Sequence, residues 1–191
     1  MKKMLSIVLV LTLVLSLFAG CGSSEAEQTQ PKVEAPASAL EILENVWAGY
    51  AEDEKFPVMG GDMGNPVDGA PGSYSLTDEN ISYSLLIPAD QLANVTEAAS
   101  MIHMMNANTF TCGVYKLAEG VSAADFGKTM QEAVQGNMWM CGFPETLLIQ
   151  DIAGVYVLVA FGVNDAMTPF QNHLGAAYPE AVTLVNEPIA G

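Results

Sequence analysis

The chain has 191 residues, of which 22 are acidic and 6 basic, giving a formal net charge of −16. This length suits one domain of ordinary size. So acidic a surface cannot neutralise phosphates, which excludes nucleic acid as a partner, and it repels anionic lipid headgroups as well.

The first residues have the order of a secretory signal peptide: two lysines precede an apolar run from Met4 to Leu17. That run is shorter than the roughly 20 residues of a membrane-spanning helix. The next residues, Phe18-Ala19-Gly20-Cys21, resemble the lipobox of bacterial lipoproteins, although Phe18 stands where leucine is usual. The resemblance implies a signal peptide of residues 1–20 and a lipid on Cys21 that holds the protein on the outer face of the cell membrane. The alternative is an ordinary signal peptide with a chance cysteine.

Removal of residues 1–20 would leave 22 acidic residues against 4 lysines, a net charge of −18, so the lipid must provide the membrane affinity. Residues 21–38 are small, polar and interrupted by proline, which predicts a disordered tether. The remaining residues, 39–191, are predicted to form a single domain.

The first half of this domain gives mixed signals. Ser38 and Glu41 have capping-box spacing and predict a helix over 39–51, with Trp47 on its packed face. Residues 52–72 are rich in Gly, Pro and Asp and are interpreted as a long loop. Residues 95–102 fit either a helix or a strand, whereas 109–117 alternate as a strand does.

The second half is clearer. A helix capped by Ser122 is expected to run to Gln135 and to end at Gly136. Two apolar strands, 146–152 and 155–161, flank a tight turn at Ala153-Gly154. Thr168-Pro169 resembles the start of a helix that runs to 177, and 181–185 is a candidate edge strand.

Together these elements predict an α+β fold. Its antiparallel sheet would carry helices packed on one face, in the order helix–(strand)–strand–helix–strand–strand–helix.

This order resembles a family of small lipoproteins of Gram-positive bacteria that is defined only by a domain of unknown function. The resemblance covers residues 39–176 and depends on Met104-Met105-Asn106, on the strand and helix that follow, and on Gly154-Val155-Tyr156-Val157-Leu158. It implies a strand for 95–102. The family has no known activity, so it implies no catalytic or binding residues.

No catalytic motif is recognised. His103 and His173 lack a nucleophile elbow or a comparable partner motif. Gly60-Gly61 and Gly64 lack the flanking strand, helix and lysine of a phosphate-binding loop, so no cofactor is expected. The spacing of Asp62, Asn65 and Asp68 does not fit a calcium loop.

The cysteines and methionines leave alternatives open. Cys112 and Cys141 could form a disulfide, as exported proteins allow, or remain small buried thiols. A soft-ligand set for copper(I) is His103, Met104, Met105, Met138, Met140 and Cys141, if the two connectors that carry these residues lie at one end of the fold. Methionines that simply fill gaps in the core are the plainer interpretation.

The sequence therefore favours a membrane-anchored, extracytoplasmic binding or accessory module without enzymatic activity. Its partner would be an unknown envelope protein or glycan. The alternatives are a copper(I)-binding protein and an enzyme with an unrecognised site.

Overall fold

The computed structural model of the chain describes residues 35–190. The predicted signal peptide, Cys21 and the tether up to residue 34 lie outside these residues. None of the described helices is both long enough and apolar enough to cross a membrane.

Residues 35–190 form one antiparallel sheet with helices packed on it. The helices are α1 (Ala39–Ala48), α2 (Ile81–Ser84), α3 (Ala123–Gln135) and α4 (Asn164–Ala177), and a 3₁₀ helix spans Ala89–Asn94. The strands are β1 (Val58–Gly61), β2 (Pro66–Asp68), β3 (Gly72–Tyr74), β4 (Val95–His103), β5 (Phe110–Leu117), β6 (Thr146–Ile152), β7 (Tyr156–Gly162) and β8 (Val182–Pro188). The predicted α+β class and antiparallel sheet are confirmed.

The strands lie in the order β2-β1-β4-β5-β7-β6-β8, and β3 pairs with β4 beside β1. Strand β7 is buried along its whole length, which confirms the central position predicted from its two apolar faces. It pairs with β6 through the turn at Ala153-Gly154, where both residues have positive φ (59° and 68°), as a type I′ hairpin turn requires.

The helices cover both faces of the sheet, and the prediction of one covered face is wrong. Helices α1 and α4 bury residues such as Trp47 and Phe170 on one face, together with Cys112 and alternate residues of the strands. Helix α3 buries Phe126 and Met130 on the other face. Central strands that are apolar on both sides need helices packed on both faces, because either face left open would expose large apolar side chains to water.

Residues 52–72 are not a plain loop, because they contain β1, β2 and the beginning of β3. The small residues allow this: a Cβ on Gly60 would collide with the backbone of Gly72 and Ala70, so glycine lets the strands approach closely. Sequence patterning misses such strands because they carry few apolar side chains.

The turn between β1 and β2 is built around Asp62. Its carboxylate accepts hydrogen bonds from the backbone N–H groups of Gly64, Asn65 and Ser75 at 2.8, 2.8 and 3.1 Å. Burial alone would raise the pKa of Asp62, but these hydrogen bonds and one from the Asn65 amide outweigh it and lower the pKa. The carboxylate thus fixes a turn and is not arranged as a calcium ligand.

Helix α4 begins at Asn164, earlier than the start predicted at Thr168-Pro169. The N–H of Asn164, the first helical residue, donates to the Glu145 carboxylate at 2.7 Å, and the helix starts five residues before the predicted start. Pro169 lies inside the helix, where it lacks the N–H that would bond the carbonyl of Asp165.

The remaining elements follow the sequence closely. Residues 95–102 lie in strand β4, as the family resemblance implied, and the predicted strand 109–117 and helix 122–135 are confirmed as β5 and α3. Helix α1 ends at Ala48, three residues before the predicted end, and β8 is longer than the edge strand expected at 181–185.

Candidate functional site

Two connectors meet at one end of the sheet, on the face covered by α3. The first is the 104–109 loop, which joins β4 to β5. The second is the 136–145 connector, which leads from α3 to β6. The condition that the copper(I) interpretation set for the two methionine-bearing connectors, that they lie at one end of the fold, is therefore met.

Two asparagines of the 104–109 loop hold the connectors together. The Asn106 amide donates to the Cys141 carbonyl at 2.8 Å. The Asn108 amide donates to the carbonyls of Met140 and Gly142 at 2.8 and 3.0 Å. These bonds satisfy three carbonyls that no regular element pairs, so residues 140–142 of the connector are held by two side chains of the facing loop.

The connector turns sharply where these bonds are made. Cys141 has φ +63°, a conformation that is uncommon outside glycine, asparagine and aspartate, and Gly142 follows with φ +135°. Such backbone is retained only where neighbouring contacts impose it, and here the asparagine amides on both sides of Cys141 supply those contacts.

Between the connectors lies a cavity of about 490 Å³, the connector pocket. Its volume is within the usual range of small-ligand sites. Its walls combine apolar and uncharged polar side chains: Tyr83, Ser84, Leu86, Ile102, Asn106, Ala107, Asn108, Thr111, Asn137, Met138, Trp139, Met140, Cys141 and Phe161.

The pocket wall carries no Asp, Glu, Lys, Arg or His among these lining residues. That is notable in a chain with 22 acidic residues. A charged ligand would lose its hydration without gaining a counter-charge, so the wall suits an uncharged ligand.

Trp139 forms the inner wall of the pocket. Its ring packs against Phe161 with 5.4 Å between centroids. Its indole Nε1 is buried and has no hydrogen-bond partner within the described part of the chain. A buried N–H without a partner costs stability, and this one has no surface exposed toward the pocket, so Trp139 contributes its apolar ring to the wall.

The residues on either side of Trp139 point outward. Met138 is 89% and Met140 78% exposed, and Tyr83 across the pocket is 86% exposed. Exposed large apolar side chains around a cavity are typical of binding surfaces, and flexible methionine suits that role. The interpretation of these methionines as core packing is therefore wrong.

The predicted copper set is only partly brought together. Met138, Met140 and Cys141 line the connector pocket, but His103, Met104 and Met105 do not. The His103 ring stacks on Phe56 at 5.9 Å, on the sheet face covered by α1 and α4, and its Nδ1 accepts from the N–H groups of Met105 and Asn106. His103 and its neighbour Ile102 point to opposite faces because successive residues of a strand alternate.

The disulfide does not form: Cys112 and Cys141 are both free thiols. Cys112 is buried with α1 and α4, and this burial raises its pKa well above the ordinary value. Cys141 is exposed at the pocket on the opposite face, beside Thr111, so the sheet separates the two thiols.

Neither histidine lies in a catalytic arrangement among residues 35–190. His173 packs on Tyr50 with 4.1 Å between ring centroids, and its Nε2 is 3.7 Å from a Glu54 oxygen. Among the described residues His173 makes no hydrogen bond to a hydroxyl, and this part of the chain holds no group of three His, Cys, Asp or Glu suited to a metal.

Sequence reasoning missed Trp139 and Tyr83 as pocket residues. In the 136–145 connector the sequence pointed only to Met138, Met140 and Cys141, as soft metal ligands. The wall that these side chains complete comes from β4, β5 and β7, whose register is set by long-range pairing.

Comparison of the chain with protein-family models, with curated proteins and with solved structures gave no match. The resemblance of residues 39–176 to Gram-positive lipoproteins therefore stays a prediction, and the proposed function depends on the geometry of the connector pocket.

Proposed function

We propose that this chain is a lipid-anchored binding protein on the outer face of a bacterial membrane, without enzymatic activity, and that the connector pocket is its ligand site. The observation that carries the proposal is the uncharged pocket of about 490 Å³ on a strongly acidic chain.

The pocket supports ligand binding because it combines apolar wall residues, which are fixed by the sheet and its packing, with flexible methionine side chains at its opening. Ile102, Trp139 and Phe161 supply apolar surface, and the rim adds exposed Met138 and Met140. Burial of a ligand against such surface contributes about 25 cal/mol per Å² of apolar area before the costs of association. The ligand would be uncharged and partly apolar, either a small molecule or an uncharged group of an envelope protein or glycan.

The anchor is proposed from the segment that ends at Cys21. The apolar run and the small residues before Cys21 support export and lipidation. Mass spectrometry of the native protein should find an N-terminal, diacylated Cys21, and Cys21→Ala should block processing or release the protein from membranes. A Cys21→Ala variant that is processed normally and stays on the membrane would exclude the anchor.

The pocket is tested with an uncharged aromatic probe, N-phenyl-1-naphthylamine, whose fluorescence rises when it leaves water. The wild-type chain should bind it saturably. Ala107→Trp, placed in the pocket wall, should abolish binding by filling the cavity. Ala124→Trp is the matched control, because Ala124 is exposed in the first turn of α3 and does not line the pocket. Equal binding by both variants would refute the assignment.

A further inference from the structure

Soft sulfur donors are concentrated at the rim of the connector pocket. Met138, Met140 and Cys141 are all exposed and occur within four consecutive residues. Met105 is also exposed and lies on the facing 104–109 loop, next to the asparagine that bonds the Cys141 carbonyl.

We infer that this rim is a binding site for copper(I), with the Cys141 thiolate and the thioethers of Met138 and Met140 as ligands and Met105 as a further donor from the facing loop. Thiolate and thioether ligands select soft monovalent copper over magnesium, calcium and manganese, which prefer oxygen. This inference goes beyond the proposed function, since it uses the rim and needs no organic ligand.

Exposure separates these residues from ordinary core methionines. Met101, Met130 and Met167 are buried and pack in the two halves of the core. Met138 and Met140 are 89% and 78% exposed, so their thioethers are free to turn toward a common ion.

The fold also fixes the backbone that carries the donors. The amides of Asn106 and Asn108 hold the carbonyls of Cys141 and Met140, and Cys141 is kept at φ +63°. A fixed backbone lowers the entropy lost when flexible side chains close on an ion. His103, which the sequence also suggested, is not part of this site because it lies on the other face of the sheet.

Binding would release one proton, because Cys141 must coordinate as the thiolate. Copper(I) affinity should therefore fall as the pH is lowered. The site needs no change in oxidation state, since the ion is supplied and held as copper(I).

The test uses the full chain in detergent with Cys21→Ala, which removes the thiol predicted to carry lipid. Silver(I), which is stable in air and equally soft, is titrated calorimetrically, and copper(I) is then measured anaerobically against bicinchoninate. One ion should bind per chain. Free silver(I) at about 100 times its dissociation constant should raise the melting temperature by about 5 to 10 °C.

Three variants decide which atoms bind. Cys141→Ser and Met140→Leu should each weaken binding by at least the roughly 10- to 100-fold that loss of even an outer-sphere partner costs. Met63→Leu is the matched control: Met63 is 70% exposed but lies on the β1–β2 turn, so affinity should not change. Leucine keeps the size and apolarity of methionine and removes only the sulfur.

Absence of stoichiometric binding would overturn the inference, as would wild-type affinity in Cys141→Ser or an equal loss in Met63→Leu. If silver(I) does not bind but N-phenyl-1-naphthylamine still does, the copper site alone fails and the pocket remains. If both fail, the connector pocket is not a ligand site.

Discussion

Asn108 is the side chain on which the geometry of the connector pocket most depends. Its amide donates to the carbonyls of Met140 and Gly142 at 2.8 and 3.0 Å, and no helix or strand holds that segment. Asn108→Ala removes both donors but keeps the backbone N–H that bonds Asn106 Oδ1. We expect the 136–145 connector to loosen and the pocket to lose its shape.

The magnitude follows from the two lost bonds. Each hydrogen bond contributes about 1 kcal/mol net, so the free energy of unfolding should fall by about 2 kcal/mol. For a domain of this size that lowers the melting temperature by about 4 to 8 °C. Urea unfolding followed by circular dichroism measures the change, and probe binding by the folded variant reports the pocket.

The control is Asn45→Ala. Asn45 makes a single exposed hydrogen bond to the Tyr178 hydroxyl at 2.9 Å, and its loss should change stability by less than about 0.5 kcal/mol. An Asn108→Ala protein that matches the wild type in stability and in probe binding would refute the role given to Asn108.

Three further predictions concern the fold. Phe126→Ala and Phe170→Ala should each lower the free energy of unfolding by about 3–5 kcal/mol. The two losses should add in the double variant, because the rings lie on opposite faces of the sheet. Non-additive losses in urea unfolding would contradict two separate half-cores. The lowered pKa of Asp62 contributes stability that is fully present above the unfolded-state pKa near 3.8 and is lost as pH falls through the lower folded-state pKa. In Asp62→Asn the free energy of unfolding should no longer fall over this pH range. An acid-unfolding curve identical to that of the wild type would contradict this role of Asp62. Ala153→Asn should stabilise by about 0.5–1 kcal/mol, because Asn accepts the positive φ of the type I′ turn better than Ala does; a lower melting temperature would disprove this.

Local sequence patterns were enough to predict the elements whose capping or turn residues are adjacent to them in the sequence. Helix α3 begins after Ser122 and ends at Gly136 as expected, because capping and termination depend on neighbouring residues. The hairpin about Ala153-Gly154 was equally clear, since its turn and two apolar strands are adjacent in the sequence.

The failures arise where distant residues decide the structure. Glu145 starts α4 at Asn164 by a bond across 19 positions, which overrides the local signal at Thr168-Pro169. The strands β1 to β3 exist because Gly60 and Gly72 allow close backbone pairing with little side-chain burial. The second covered face follows from the position of α3, which periodicity alone cannot assign.

The candidate site was predicted only in part. The sequence showed two methionine-bearing connectors and left open whether they lie at one end of the fold. It did not show that His103 faces Phe56 or that Trp139 lines a cavity, because both depend on the register of β4, β5 and β7.

The central claim is that ligands enter the connector pocket, and the indole N–H resonances test it most directly. The chain has two tryptophans: Trp47, whose Nε1 donates to the Gly69 carbonyl at 3.2 Å, and Trp139 in the pocket wall. In a ¹⁵N-labelled chain titrated with N-phenyl-1-naphthylamine, the Trp139 indole resonance should move and the Trp47 resonance should stay. Saturable probe binding that leaves the Trp139 resonance in place would contradict the claim.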